Sequence, residues 1–299
     1  MDKETLSNYG WIVILVLILA VMIALAGPFG MFVSDAIKST TQGFFDINQS
    51  ATNNTKLMHM DKQSFDEYSD NNMKNQDSSN LPAVGTSAED CTWEEITAIS
   101  NAGKGDEYFD IGDTKTFVTT DGKTIVMQIV AFDADTKSDE TGTAGITWLS
   151  MEVVAEHVMN PTITNEGGWK HSNMRSWLQG EFYNTLPADL KNAIVNVNKT
   201  YTEVVAQDTL SCEDNVWIPS HREVFNTGMF ENSGPTYTTT YFTNDTARSK
   251  TFNGTPCYWW LRSVPATGDS KFKTVNYGGN TSTSLNSVMC YGVVLGFCT

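Results

Sequence analysis

Hydrophobic and polar positions divide the chain into three stretches. The first holds 23 consecutive residues, 11–33 (WIVILVLILAVMIALAGPFGMFV), without a charged or strongly polar side chain. At about 1.5 Å per residue, a helix of that length crosses a hydrocarbon layer of roughly 30 Å. The pattern then becomes amphipathic, with Val33, Ile37, Thr41 and Phe44 near one helical face. These residues predict a long N-terminal hydrophobic helix over residues 1–47, which would either span a lipid bilayer or pack with copies of itself through residues 11–47. A cleaved secretory signal is the alternative, since Ala24-Leu25-Ala26 precedes Gly27. The leader MDKETLSNYG argues against cleavage, because Asp2 and Glu4 offset Lys3 where signal peptides begin net positive. Residues 48–90 are rich in Asn, Ser, Asp and Lys and read as a polar spacer.

From Cys91 onward the spacing of apolar residues is that of a folded domain, 91–299. Two β-rich runs, 116–120 and 124–132, flank Asp121-Gly122 and predict a hairpin closed by a type I′ turn. Residues 151–159 predict a short helix, Met174, Trp177, Leu178 and Phe182 a second, and Leu190, Ile194 and Val197 a third. Strands are expected at 216–218, 257–261, 272–277 and 291–297, with Gly278-Gly279-Asn280 as a turn. Strands, then helices, then strands predict an α+β fold.

Charge changes the picture by excluding partners. With 35 Asp+Glu against 19 Lys+Arg the net charge is −16, which opposes binding to nucleic acid. The excess is local, since residues 89–156 hold 15 acids and 4 bases. The five cysteines, Cys91, Cys212, Cys257, Cys290 and Cys298, form no CxxC pair, so zinc-ribbon and thioredoxin-like chemistry is not indicated. Disulfides in an exported domain and buried thiols both remain open. Asp133, Asp135, Asp139 and Glu140 resemble a calcium loop only in oxygen density. Lys137 at the fifth position and the absence of Gly at the sixth favour a solvated acidic loop. The GxSxG, HExxH, GxxxxGK[ST] and GxGxxG patterns are absent, and the four histidines are scattered. No catalytic residue, metal or cofactor is therefore expected.

Ordered phrases run through the folded part: Tyr108-Phe109-Asp110-Ile111-Gly112-Asp113, Gly167-Gly168-Trp169, Ser172-Asn173-Met174-Arg175, Ile218-Pro219-Ser220, Trp259-Trp260-Leu261-Arg262-Ser263 and Tyr291-Gly292-Val293. Together they resemble a domain family of unknown function in Gram-positive surface proteins with a WWLRS signature. That resemblance implies a C-type-lectin-like fold, of the kind shared with formylglycine-generating enzymes, and a binding scaffold. Trp259, Trp260 and Arg262 are its structural signature. Independently of the resemblance, adjacent strand residues point to opposite faces, so one tryptophan would enter the core and the other cover a helix or line a groove. Arg262 would pair with a carboxylate or cap carbonyls. The N-terminal stretch is similar to tight-adherence type IV pilins, apart from Asn8 where those carry Glu before Tyr, and from the missing basic leader.

The segment 276–287 is crowded with Asn, Ser, Thr and Tyr, side chains that bond adaptably at low entropic cost. The resemblance implies a ligand face in this C-terminal region, which makes Tyr277, Asn280, Asn286 and Tyr291 candidate contacts; a plain polar turn is the alternative. The expected role is a bacterial cell-surface binding or adhesion protein, membrane-anchored, engaging an extracellular protein or glycan ligand. A pilin-like subunit of an extracellular filament is the second reading, and an exported enzyme the third.

Overall fold

Thr92 sets the start of the first helix, α1 (Trp93–Asn101). Its hydroxyl accepts from the Glu95 backbone while the Glu95 carboxylate accepts from the Thr92 backbone, a reciprocal capping box. The computed structural model describes residues 81–203, 209–227, 233–268, 270–281 and 284–299. All of them belong to one compact unit, Asp77–Thr299.

Two four-stranded sheets organise this unit. The first is wholly antiparallel, in the order β1 (Thr114–Val118), β2 (Thr124–Thr136), β3 (Thr143–Ser150) and the C-terminal β14 (Gly296–Cys298). Trp93 of α1, Trp148 of β3 and Phe297 of β14 meet with ring centroids 5.6 to 6.4 Å apart, which locks the chain end against the first helix. The second sheet runs β11 (Thr274–Val275), β9 (Trp259–Trp260), β13 (Cys290–Val293) and β4 (Ala155–Val158). Its β9 and β13 are parallel, meeting at Trp259 and Gly292. A Cβ on Gly292 would lie 2.7 Å from Val153 Cγ2 and 2.9 Å from the Tyr258 carbonyl, so glycine permits this close approach. Hairpins β5 (Val197–Thr202)/β6 (Thr209–Asp214) and β7 (Lys250–Phe252)/β8 (Thr255–Cys257) complete the frame with a small pair, β10 (Lys271–Phe272)/β12 (Leu285–Asn286).

Several expectations are corrected. The expected architecture was an α+β, C-type-lectin-like domain behind a long N-terminal hydrophobic helix. The described chain is instead a mixed helix and sheet fold in which no helix is long and apolar enough to cross a membrane. Its longest described helix is the nine-residue α1. The helix expected over residues 1–47 and most of the spacer fall outside the described residues. The end of that spacer belongs to the domain: Ala88 is buried, and the Ala88, Glu89 and Cys91 carbonyls accept from the buried Lys115 ammonium.

The helix expected at 151–159 is replaced by β4, because Tyr291 and its neighbours supply a pairing edge that the local apolar spacing could not register. The hairpin at 116–132 forms, but a five-residue turn closes it, with Gly122 alone at positive φ. The Asn-Gly turn at the tip of β7/β8 has both residues left-handed, Asn253 at φ 51° and Gly254 at φ 76°. The helix expected around 174–182 is interrupted: α-helical Asn173–Trp177 passes into a π-helical turn, Leu178–Phe182.

Candidate functional site

The segment 258–262, centred on β9, sends its side chains into three environments. Trp259 and Trp260 are both fully buried, so neither lines a groove. Trp259 donates to the Arg248 carbonyl (3.0 Å) and Trp260 to the His157 carbonyl (2.9 Å), which satisfies both indoles. Tyr258, the residue before them, is only half-buried. It joins two of the sequence-predicted contacts: its ring centroid lies 5.7 Å from Tyr277 and 5.6 Å from Tyr291. Tyr291 leans edge-on against Trp260 at 5.2 Å. Across the β13/β4 ladder Tyr291 is paired with His157, which stacks on Trp177 at 4.4 Å with the planes 15° apart. The outcome is a band of partly exposed aromatic rings, Tyr277, Tyr258, Tyr291, His157 and Trp177, laid across the strands of the second sheet.

Tyr277 is 61 % exposed yet held on a fixed turn. The Asn276 carboxamide oxygen accepts from the Gly278 and Asn280 backbone. Ser249 donates to the Tyr277 carbonyl and Arg248 to that of Gly279. Gly279, at φ 78°, sits so close to the Asp245 carbonyl that no side chain fits there. Asn280 occupies the same turn, but its amide bonds back to the Gly278 carbonyl. Asn286 lies on β12 opposite Lys271 and accepts from Ser270, in a separate two-stranded sheet. Tyr277 and Tyr291 are thus brought together, Asn280 is spent on its own turn, and Asn286 is held elsewhere. Tyr258, His157 and Trp177 were missed. Alternation could not have found Tyr258, because period two places it on the face of Trp260, which is buried.

Arg262, two residues past Trp260, enters a buried ionic network. Glu223 receives both Arg262 guanidinium nitrogens at 2.7 Å and the Lys199 ammonium at 2.7 Å. Arg262 also donates to the Thr200 and Ile218 carbonyls, at 2.7 and 2.9 Å. It therefore does both things the sequence allowed. The Lys199 ammonium reaches Asp135 Oδ1 at 2.5 Å, while Tyr237 and Thr147 hydroxyls donate to Oδ2 at 2.8 Å each. The Trp217 ring underlies the Lys199 ammonium, 3.5 Å from its centroid. Burial disfavours the Lys199 cation, but Asp135 and Glu223 overcome it and raise its pKa. Burial likewise opposes the Glu223 anion, and Arg262 and Lys199 override it, holding the carboxyl well below its ordinary value. Burial, reinforced by Asp135 and Glu223, raises the Tyr237 hydroxyl.

The acidic loop is corrected here. A bulge in the β2/β3 register at 132–135, with Asp133 at φ 48°, turns Asp135 fully inward, so it is a core residue and not part of a solvated face. Among the described residues no cluster of three or more His, Cys, Asp or Glu could hold a metal ion. The five cysteines are free thiols, Cys91, Cys212 and Cys298 buried and Cys290 exposed. A polar cleft of about 500 Å³ runs past Lys170, Gln179, Asn198 and Glu213, but Arg175 within it is already committed to Asp214 at 2.6 Å.

Comparison with known proteins gives one finding. The family model described as a domain of unknown function, DUF6273, matches residues 144–295, a span that carries the aromatic band, Lys199, Glu223 and Arg262. No curated protein and no solved structure matches the chain.

Proposed function

Since the chain belongs to the DUF6273 family, whose description assigns no activity, we propose from the tyrosine face that it is a non-catalytic binding module for an extracellular glycan. One observation carries this reading. Tyr258, Tyr277 and Tyr291 form a connected set of partly exposed rings across the second sheet, with Tyr277 61 % exposed. Rigid tyrosines offer large amphipathic contact area with little rotamer entropy to lose, and a hydroxyl at the wet end of each ring. The apolar face of a sugar ring stacks on such a surface, and its hydroxyls bond to the tyrosine hydroxyls. Adhesion at a cell surface is the setting this role requires.

Binding of the full chain to a glycan array, followed by titration of the hits, tests the proposal. Tyr277→Ala and Tyr258→Ala should each weaken a true hit by tenfold or more, given that an exposed aromatic stacking contact contributes on the order of 1 kcal/mol and two rings are disturbed. Hits unaffected by both substitutions, or binding to protein ligands alone, would refute the assignment.

A further inference from the structure

Lys199, Asp135 and Glu223 are each almost completely buried, and their arrangement is that of reactants as well as of an ion pair. The Lys199 Nζ touches Asp135 Oδ1 at 2.5 Å. The other carboxyl oxygen, Oδ2, accepts from the Tyr237 and Thr147 hydroxyls at 2.8 Å and lies 3.6 Å from the Cys298 thiol. Three donors on one oxygen polarise the carboxyl carbon and are placed where negative charge would develop on attack. Glu223 Oε1 lies 2.7 Å from the same Nζ, and Arg262 fixes that carboxylate from its far side. A nucleophile, an electrophile with its oxyanion donors and a proton carrier are therefore in contact within a water-excluding pocket closed by Trp217.

We infer that Lys199 and Asp135 condense to an intramolecular isopeptide bond that staples β2 to β5. In the resting ion pair one proton passes from Nζ to Oδ1, giving a neutral amine and a neutral carboxylic acid. The Nζ lone pair forms a bond to the Asp135 Cγ, and the π electrons of the Cγ–Oδ2 bond move onto Oδ2 beneath the Tyr237 and Thr147 hydroxyls. Glu223 takes one of the two remaining protons from Nζ and delivers it to the Oδ1 hydroxyl. The Oδ2 electrons restore the carbonyl, the Cγ–Oδ1 bond breaks, and Oδ1 leaves as water with both transferred protons. The amide keeps the third, and Glu223 returns to its carboxylate. No oxidant, metal or co-substrate is required.

Charge supplies the driving argument. Before condensation four buried charges balance as two cations and two anions; afterwards the Glu223–Arg262 pair remains, complete and bidentate. The reaction thus removes two buried ions whose desolvation the fold otherwise has to offset.

Mass spectrometry of the denatured full-length chain, before and after prolonged incubation of the folded protein, decides the matter. The expected result is an intact mass short of the sequence mass by one water, and a branched proteolytic species joining the peptide of Asp135 to that of Lys199. Lys199→Arg should keep its full mass. Asp135→Asn should lose one ammonia in place of water and yield a branched species of the same mass as the wild type. A full sequence mass in wild-type chain that is folded by near-ultraviolet circular dichroism overturns the inference. So does a dehydration that persists in Lys199→Arg.

Discussion

Replacing Arg262 with methionine tests the ionic network most directly. Methionine fills much of the same space but removes both donors to Glu223 and the donors to the Thr200 and Ile218 carbonyls. Glu223 is 1 % exposed and cannot turn to water. Breaking a buried pair from one side costs about 3–5 kcal/mol, and here the surviving carboxylate loses its bidentate partner and keeps at most the Lys199 ammonium. Each orphaned carbonyl adds on the order of 1 kcal/mol. A loss of at least about 4 kcal/mol is expected, a large part of the 5–15 kcal/mol typical of a whole domain, and a fall in Tm of roughly 10 °C. Urea unfolding followed by tryptophan fluorescence, with thermal melts alongside, would measure it. The second variant, Arg262→Met with Glu223→Gln, removes the stranded charge and should recover part of the loss. The reasoning fails if the single change costs less than about 1 kcal/mol, or if the double variant is less stable than the single. The loss is larger if Lys199 is bonded to Asp135, since Arg262 is then the cation left facing Glu223, whereas a free Lys199 ammonium stays 2.7 Å from its Oε1.

Two further outcomes follow from packing and from burial. Gly296→Ala would set a Cβ 2.6 and 2.7 Å from the Cε3 and Cη2 atoms of Trp217, so calorimetry should show a loss of about 1–3 kcal/mol from overpacking. Lys250 is buried, with only the Ser150 and Met151 carbonyls and the Tyr241 hydroxyl as partners; burial lowers its pKa from 10.5 to about 8. The unfolded chain then holds the proton more tightly than the folded one, so wild-type stability should rise, relative to Lys250→Met, as pH climbs from about 8 to 10.5. The full swing corresponds to roughly 3 kcal/mol, read as the difference between the two proteins' urea midpoints across that window. A flat difference would mean that the carbonyls hold Lys250 charged at its ordinary pKa.

What could be read in the sequence was whatever depends on local repetition. The alternation in 124–132 and the Gly278-Gly279 turn needed nothing beyond their neighbours. The mixture of strands and helices was legible for the same reason. What was not legible depended on distant partners. β4 has helix-like spacing and becomes a strand only because β13, more than a hundred residues later, offers it an edge. Asp135 looks solvated in a run of acids, and only the bulge and Lys199, 64 residues away, make it a core residue. At the candidate site, Tyr277 and Tyr291 were singled out through the family resemblance, and both rings pack against Tyr258. Asn280 and Asn286 were not distinguished from them, because neither the resemblance nor composition reveals that an amide is already bonded within its own turn or strand pair.

The short segment 258–262 connects the two halves of the proposal. Tyr258 packs with the partly exposed Tyr277, Trp259 and Trp260 fix the strand in the core, and Arg262 ties its end to Glu223. Each anchor is within one strand's length of the exposed ring, so little slack separates the surface from the buried network. The same holds from the other direction, since Gly292 brings β13 against Tyr258 and sets the Tyr258–Tyr291 spacing. A face organised this way is preorganised, which lowers the ordering cost of capture. Arg262→Met, studied at a temperature where the chain remains folded, should therefore weaken glycan capture without touching any ring. Binding that is unchanged in the folded variant would separate the tyrosine face from the network and leave the latter a purely structural device.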